Sequence, residues 1–284
     1  MVGRIDGAGG VIGKSDRGFP REHEVDKQPV RDLARLIETE VIPRMMFAHG
    51  SASPGARPVD AVPGERDVAR LLGHILRDSD EAVFDCVDAL IARRVPLERI
   101  FLGLLGPVAR RLGEMWEADT CSFTEVTLGL MRLQQVLRRY APRFNGGQDG
   151  ADGTRRLLLN PLPGEQHNFG IFMVAEFFRR AGWVVDETPC DCSRDITTTV
   201  AEEWYAVVGL SLSAESRLNE LANLILELRE RSANPDLGIM VGGWLFSARP
   251  ELVEFVGADI GGRDAARAVD EADYLLGQMR AMRP

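Results

Sequence analysis

Arg156-Leu157-Leu158-Leu159-Asn160-Pro161, followed closely by Glu165-Gln166-His167-Asn168-Phe169-Gly170, is the stretch whose reading decides the fold. The first segment is a short apolar run with the length of a buried strand. Beyond the second, apolar residues recur with a helical period from Ile171 to Ala181. A single histidine therefore lies on a strand-to-helix loop, with a carboxylate just before it and a glycine just after it. Loops of that kind stand over the carboxyl edge of a sheet, where ligands bind.

Reading outward, the same alternation recurs. Apolar runs at Trp183–Val185, Ala206–Leu212, Gly238–Val241 and Ala258–Ile260 are separated by helical segments. This βα pattern predicts an α/β domain over 154–284, a Rossmann-like (flavodoxin-like) five-stranded parallel sheet with helices on both faces. The Gly- and Asp-rich stretch 145–153 reads as a linker. Upstream of it the period is helical throughout. Val68, Leu71, Leu72, Ile75 and Leu76 mark one helix, and Val83, Phe84, Val87, Leu90 and Ile91 a second that stops at Pro96. A third carries Ile100, Phe101, Leu104, Leu105, Val108 and Leu112, and Pro107 within it predicts a kink or break. Ser122-Phe123-Thr124-Glu125 is a capping box that opens a fourth, running to about Tyr140. Four helices with short connections predict a four-helix bundle cap over 65–144. Residues 1–64 form a flexible region with one amphipathic helix expected over Val30–Phe47 and a Pro-containing linker at Ser51–Gly64.

Composition narrows the function classes. A formal net charge of -9 argues against a broad nucleic-acid-binding face. Basic pairs such as Arg93-Arg94, Arg110-Arg111 and Arg138-Arg139 read as solvated helix faces. No run is long and apolar enough to span a bilayer, and Met1 to Ser15 lacks an apolar signal-peptide core, so a soluble, cytoplasmic protein with no membrane partner is expected. Four cysteines are too few for a disulfide scaffold at this length. Cys190-Asp191-Cys192 lacks the second Cys/His pair that a structural zinc site needs, so these read as ordinary thiols.

Three loops at strand carboxyl ends concentrate the chemistry: Glu165 to Gly170, Gly209-Leu210-Ser211-Leu212-Ser213, and Gly242-Gly243-Trp244. Together they offer one ligand nitrogen, two hydroxyls, and small residues beside which a bulky group can approach the backbone. Their order and spacing resemble the cobalamin-binding domain pattern Asp-x-His-x-x-Gly, Ser-x-Leu, Gly-Gly. The helical segment before them is similar to the cap that accompanies this domain in methionine synthase and in light-sensing regulators, so the resemblance covers about residues 65–284. Glu165 stands where the family usually has Asp, and Ser213 where it has Leu.

The resemblance implies cobalamin, as adenosylcobalamin or hydroxocobalamin, with His167 as the metal ligand replacing the cofactor's own benzimidazole below the cobalt. The displaced nucleotide tail would enter a slot lined by Ser211, Leu212, Ser213, Gly242 and Gly243. Asn168, Phe169 and Gly170 complete the histidine loop. Glu165 would fix the imidazole tautomer and raise its basicity. Trp116, in Leu112-Gly113-Glu114-Met115-Trp116, matches the tryptophan that lies above the corrin in CarH-type photoreceptors. The Glu-His pair those proteins carry on the next helix is represented here by Glu125-Val126-Thr127, without the histidine.

The missing histidine, the stretch Asp119-Thr120-Cys121-Ser122-Phe123 and the loop Gly164-Glu165-Gln166-His167-Asn168-Phe169-Gly170 resemble most the AerR/PpaA antirepressors of photosynthetic bacteria, relatives of the heme-binding domain of AppA. That likeness implies a non-enzymatic, light-responsive transcriptional regulator. Its partner would be a CrtJ/PpsR-type repressor, with DNA reached indirectly through it. His23 and His49 are candidates for the upper cobalt ligand. Two other readings share the same loops: a corrinoid carrier for a separate methyltransferase, and a heme sensor with His167 as axial ligand.

Overall fold

The structure, a computed structural model, describes residues 62–77, 80–146, 153–165, 168–187, 195–262 and 264–282. The expected helix over Val30–Phe47, His23, His49, residues 147–152 of the linker, and Cys190 and Cys192 lie outside the described residues.

Helix α1, Glu65–Arg77, buries Val68, Leu71 and Ile75, and α2, Asp80–Ala92, buries Val83, Cys86, Val87 and Leu90. Both sets follow the i, i+3, i+4 spacing of one apolar stripe, the reason these segments are helical and pack inward. Helix α3 runs in three segments: Leu97–Ile100, a π-helical turn Phe101–Leu105, and Gly106–Glu117. The kink or break expected at Pro107 takes the form of a change of helix type just before it, with Pro107 in the first turn of the segment that follows. Proline has no N–H to give the preceding turn, and the chain widens before it instead of stopping, so that the Gly106 N–H donates to the Phe101 carbonyl five residues back. Phe101, Leu104 and Leu105 of the widened turn are fully buried.

Helix α4, Phe123–Asn145, opens with the capping box read from the sequence. The Glu125 N–H donates to Ser122 Oγ at 3.3 Å, and Ser122 N–H donates back to Glu125 Oε2 at 2.8 Å. The helix continues past Tyr140, which is buried and donates through its hydroxyl to Asp88 Oδ1 at 2.7 Å, tying α4 to α2.

The sheet comprises β1 (Arg156–Pro161), β2 (Val184–Glu187), β3 (Val207–Ser211), β4 (Gly238–Gly242) and β5 (Ile260–Gly261). Its order is β2-β1-β3-β4-β5 and every pairing is parallel. The intervening helices are α5 (Phe169–Arg180), α6 (Ile196–Glu202), α7 (Leu218–Arg231), α8 (Trp244–Ala248), α9 (Glu251–Phe255) and α10 (Ala265–Met282), with a short 3-10 turn at Glu215–Arg217. Strands β1, β3 and β4 are almost wholly buried, as central strands of a parallel sheet covered on both faces must be.

Two apolar layers flank the sheet. One, under α6, α7 and α8, contains Val200, Leu221, Ile225, Leu228, Leu245 and Phe246. The other joins the sheet, α5 and α10 to the four N-terminal helices in one continuous core. Three rings make the join: Phe101 of α3 meets Phe144 of α4 at a centroid distance of 4.8 Å, and Phe144 meets Phe177 of α5 at 5.0 Å. Arg180 of α5 lies over Phe144 at 4.5 Å and pairs with Glu98 of α3 at 3.1 Å. None of the helices among the described residues is long and apolar enough to cross a membrane.

Candidate functional site

The strand order places a topological switch point between β1 and β3. Chains leaving these two neighbours turn to opposite faces of the sheet, and a crevice opens between their loops; the same rule holds for other sheets of order 2-1-3-4-5. The three loops singled out in the sequence all begin at this edge. Pro161 lies in register with Ser211, and Ser211 with Gly242. Beyond the ladder, Leu162 N–H donates to the Ser211 carbonyl at 3.0 Å and Leu212 N–H to the Gly242 carbonyl at 3.2 Å, so the three loop entrances are held side by side.

Glu165 is the centre of this arrangement among the described residues. It is a buried carboxylate, 8% exposed. Its Oε2 accepts from Ser213 N–H at 3.0 Å and from Ser213 Oγ at 2.7 Å. The acidic residue of the β1 loop thus fastens the β3 loop across the switch point. A buried carboxylate is tolerable only where such donors replace its water. Arg217, at the end of the 3-10 turn, donates to the Pro163 carbonyl and to both oxygens of Glu220, closing the same two loops from outside.

His167, the residue on which the metal assignment rests, lies with Gln166 outside the described residues. Its neighbours are described. Asn168 precedes α5, and Gln134 of α4 donates to its Oδ1 at 3.4 Å. Phe169, read from the sequence as part of the cofactor loop, is buried in the core shared with the N-terminal helices. Gly170 borders open space. Leu212 is buried in the opposite core layer and contributes backbone to the crevice. Trp116 sits at the end of α3 and is 44% exposed, so it does not fill the bundle core.

The fit of these residues to a cofactor with a long polar tail rests on two observations. The Ser211 hydroxyl is buried and, among the described residues, without a hydrogen-bond partner. A buried hydroxyl left unpaired is costly, and a ligand group brought against the end of β3 would relieve that. Beside it in register, Gly242 has no atom within 4 Å of where a Cβ would stand, so the adjoining space is open. Gly243 shapes the same turn. Its φ is 114°, and a Cβ there would meet the Leu212 carbonyl oxygen at 2.5 Å. The residues present therefore fit such a group.

Sequence reasoning missed several neighbours. On α4, Leu128, Met131 and Gln134 share one face by their i, i+3 spacing, and Gln134 reaches the histidine loop. Leu128 and Met131 are about half exposed, large apolar groups off the buried stripe formed by Leu133, Val136, Leu137 and Tyr140. That departure from the stripe was the available signal. Trp244, which the sequence placed in the third loop with Gly242 and Gly243, is 70% exposed at the same sheet edge. The link between Glu165 and Ser213 had no local signal.

Comparison with known proteins agrees with this geometry. Residues 155–271 match the family model described as the B12 binding domain. An uncharacterized 20.5 kDa protein in the bchF-crtJ intergenic region of Rhodobacter capsulatus is 28% identical over 185 residues, covering 65% of this chain and 95% of that protein. Among solved structures, the Methanosarcina barkeri monomethylamine corrinoid protein superposes with a TM-score of 0.62 at 16% identity, over 74% of this chain and 98% of that one. The similarity includes the helical region as well as the five-stranded sheet and bears out the expected fold. The domain match supports cobalamin as the cofactor.

Proposed function

We propose that the chain is a cobalamin-binding regulator, with His167 holding the cobalt from below and a CrtJ/PpsR-type repressor as its protein partner. The observation that carries the cofactor reading is the buried, unpartnered Ser211 hydroxyl beside the open space at Gly242, at the switch point of a sheet whose sequence matches the B12 binding domain. Heme has no tail to fill that space. In this reading Ser211, Gly242 and Gly243 receive the nucleotide tail, and Glu165, already anchored by Ser213, holds the proton on the far imidazole nitrogen of His167. Bound cobalamin supplies a cobalt–carbon bond that light can break. Leu128 and Met131 then offer apolar cover on the side of the loop that α4 reaches through Gln134, and the likeness to CarH-type photoreceptors adds Trp116 to that cover. The regulatory half of the proposal rests on the likeness to AerR/PpaA antirepressors and on the relative from the bchF-crtJ intergenic region. The chain binds and signals in this account; it performs no turnover of its own.

The test is spectroscopic. Full-length protein incubated in the dark with adenosylcobalamin should acquire a base-off, histidine-ligated corrinoid spectrum that changes on illumination, and His167→Ala should lose that ligation. Undiminished histidine ligation in the variant rejects the ligand. A Soret band with hemin and no cobalamin uptake favours the heme sensor, and methyl transfer from methyl-loaded protein to a thiol favours the corrinoid carrier. Release of a CrtJ/PpsR-type repressor from its operator by the loaded protein tests the regulatory half; an unchanged repressor–operator complex rejects it.

A further inference from the structure

The sheet's other notable surface is its β5 edge. Strand β5 is the last in the order and pairs only with β4 among the described residues. Helices α9 and α10 stand on either side of it, and between them lies a groove of about 610 Å³. Val253, Ile260, Tyr274 and Leu275 supply its apolar lining. Tyr274 is 70% exposed, and Phe255 at the end of α9 is 59% exposed. An edge strand flanked by exposed aromatic residues is a surface that proteins normally cover or charge.

The charges here have one dominant sign. Asp270 and Glu271 line the groove on the α10 side, and Glu251 and Glu254 lie on α9. Asp270, Glu271 and Glu254 have no ion-pair partner among the described residues, Glu251 lies in the field of Arg249, and Arg267, the one cation among the lining residues, faces Asp264 at 3.8 Å. Asp259 is likewise satisfied, by Arg229 at 2.9 Å. Among the described residues the charge around the groove is therefore predominantly negative, and strand β5 runs along its floor. We propose that the α9–β5–α10 groove docks an extended, basic segment of a partner protein, which pairs its main chain with β5, seats apolar side chains against Tyr274 and Leu275, and sets arginines or lysines against Asp270 and Glu271. Main-chain pairing supplies affinity in such a mode, and the alternating side chains supply selectivity. This surface does not depend on the cobalamin reading, since none of its residues belongs to the switch-point loops.

The probe is a fluorescein-labelled nine-residue peptide alternating arginine and valine, titrated with full-length protein and followed by anisotropy. A matched peptide with glutamate in place of arginine is the charge control. Saturable binding of the arginine peptide is expected, with no binding of the glutamate peptide. The pair Asp270→Arg and Glu271→Arg should weaken binding at least tenfold, and so should Tyr274→Ser. The pair Glu81→Arg and Asp85→Arg, with the same change of net charge on exposed positions of α2, should weaken it less than threefold. Equal loss in both charge-reversed pairs means attraction to the net charge alone and overturns the proposal, as does unchanged binding in the groove variants. A dimer dissolved by Tyr274→Ser, with no peptide binding, overturns it in favour of self-pairing. Far-ultraviolet circular dichroism and the urea midpoint of each variant report folding, and hydroxocobalamin uptake, read separately from its spectrum, keeps a failure of this proposal distinct from a failure of the cofactor reading.

Discussion

Two adjacent glycines, Gly242 and Gly243, should separate stability from binding. At Gly243 the backbone sits at φ 114°, ψ 167°, a region that side chains other than glycine's avoid. Placing alanine there costs about 1–3 kcal/mol from the backbone alone. The new Cβ would also stand 2.5 Å from the Leu212 carbonyl oxygen and 3.3 Å from its carbon, atoms held by the Leu212 to Gly242 hydrogen bond and unable to swing away as a flexible side chain would. Relieving that overlap adds about 1–3 kcal/mol. Gly243→Ala should therefore lose roughly 2–6 kcal/mol in urea unfolding with an unchanged m-value, and its midpoint temperature should fall by roughly 4–24 °C. Gly242 has nothing within 4 Å of its Cβ position. Gly242→Ala should unfold within about 0.5 kcal/mol of wild type, and Gly242→Phe should stay folded while losing at least about tenfold, or 1.4 kcal/mol, in hydroxocobalamin affinity because the ring occupies the open space. Gly243→Ala melting with the wild-type protein would refute the strain argument. Gly242→Phe binding as tightly as wild type would refute the slot.

Four further outcomes are expected. Ser211→Ala should leave the cofactor-free protein as stable or up to about 1 kcal/mol more so, because it removes a buried group with no partner among the described residues, while weakening hydroxocobalamin binding by about 0.5–1.5 kcal/mol in an equilibrium titration. The Ser122 N–H, and after it the Ser122 hydroxyl, hold the Glu125 carboxyl below its ordinary value. A depressed carboxylate contributes stability above its unfolded pKa that is lost as pH falls through the folded value, so Glu125→Gln should flatten the acid limb of a melting-temperature profile below about pH 4.5. Leu128→Lys combined with Met131→Lys should leave the melting temperature within about 2 °C, since both side chains are already half exposed, yet speed cobalamin release in stopped-flow displacement. Phe144→Ala should cost about 3–5 kcal/mol, and because its ring touches both α3 and α5, far-ultraviolet and near-ultraviolet circular dichroism should still report one coincident transition.

Periodicity alone located the strands and helices, because burial on one stripe or on both faces of a strand leaves its mark at fixed local spacings. The capping box was equally local: Ser122 and Glu125 are one turn apart and bond each other's backbone ends and side chains. What failed to show in the sequence was non-local or compensatory. Pro107 signalled an irregularity in the helix, but not its form, a widened turn at Phe101–Leu105, which no residue type announces. The histidine loop read as one functional unit, whereas the structure divides it: Glu165 belongs to the β3 loop through Ser213, Asn168 to α4 through Gln134, and Phe169 to the core. Each of those partners lies at least thirty positions away, beyond the reach of any spacing rule.

That division has a mechanical consequence. The loop following β1 is fastened on one side to β3 by a buried carboxylate and on the other to α4 by a side-chain amide, and it runs directly into Phe169 and the core. Interiors packed at crystal-like density do not deform smoothly; they move as packed units. A displacement of the loop therefore has two outlets. Toward the sheet it is resisted by Glu165 and Ser213, whose bonds would have to break in a site with little water to replace them. Toward α5 it is carried by Phe169 into the layer that holds Phe177, Phe144 and Phe101 together. The second path breaks no buried polar contact in the first step and ends on α3, the helix that carries Trp116. In the proposed reading, a change of ligation at the switch point would be felt first by the N-terminal helices, and the far edge at β5 would receive it only through the sheet.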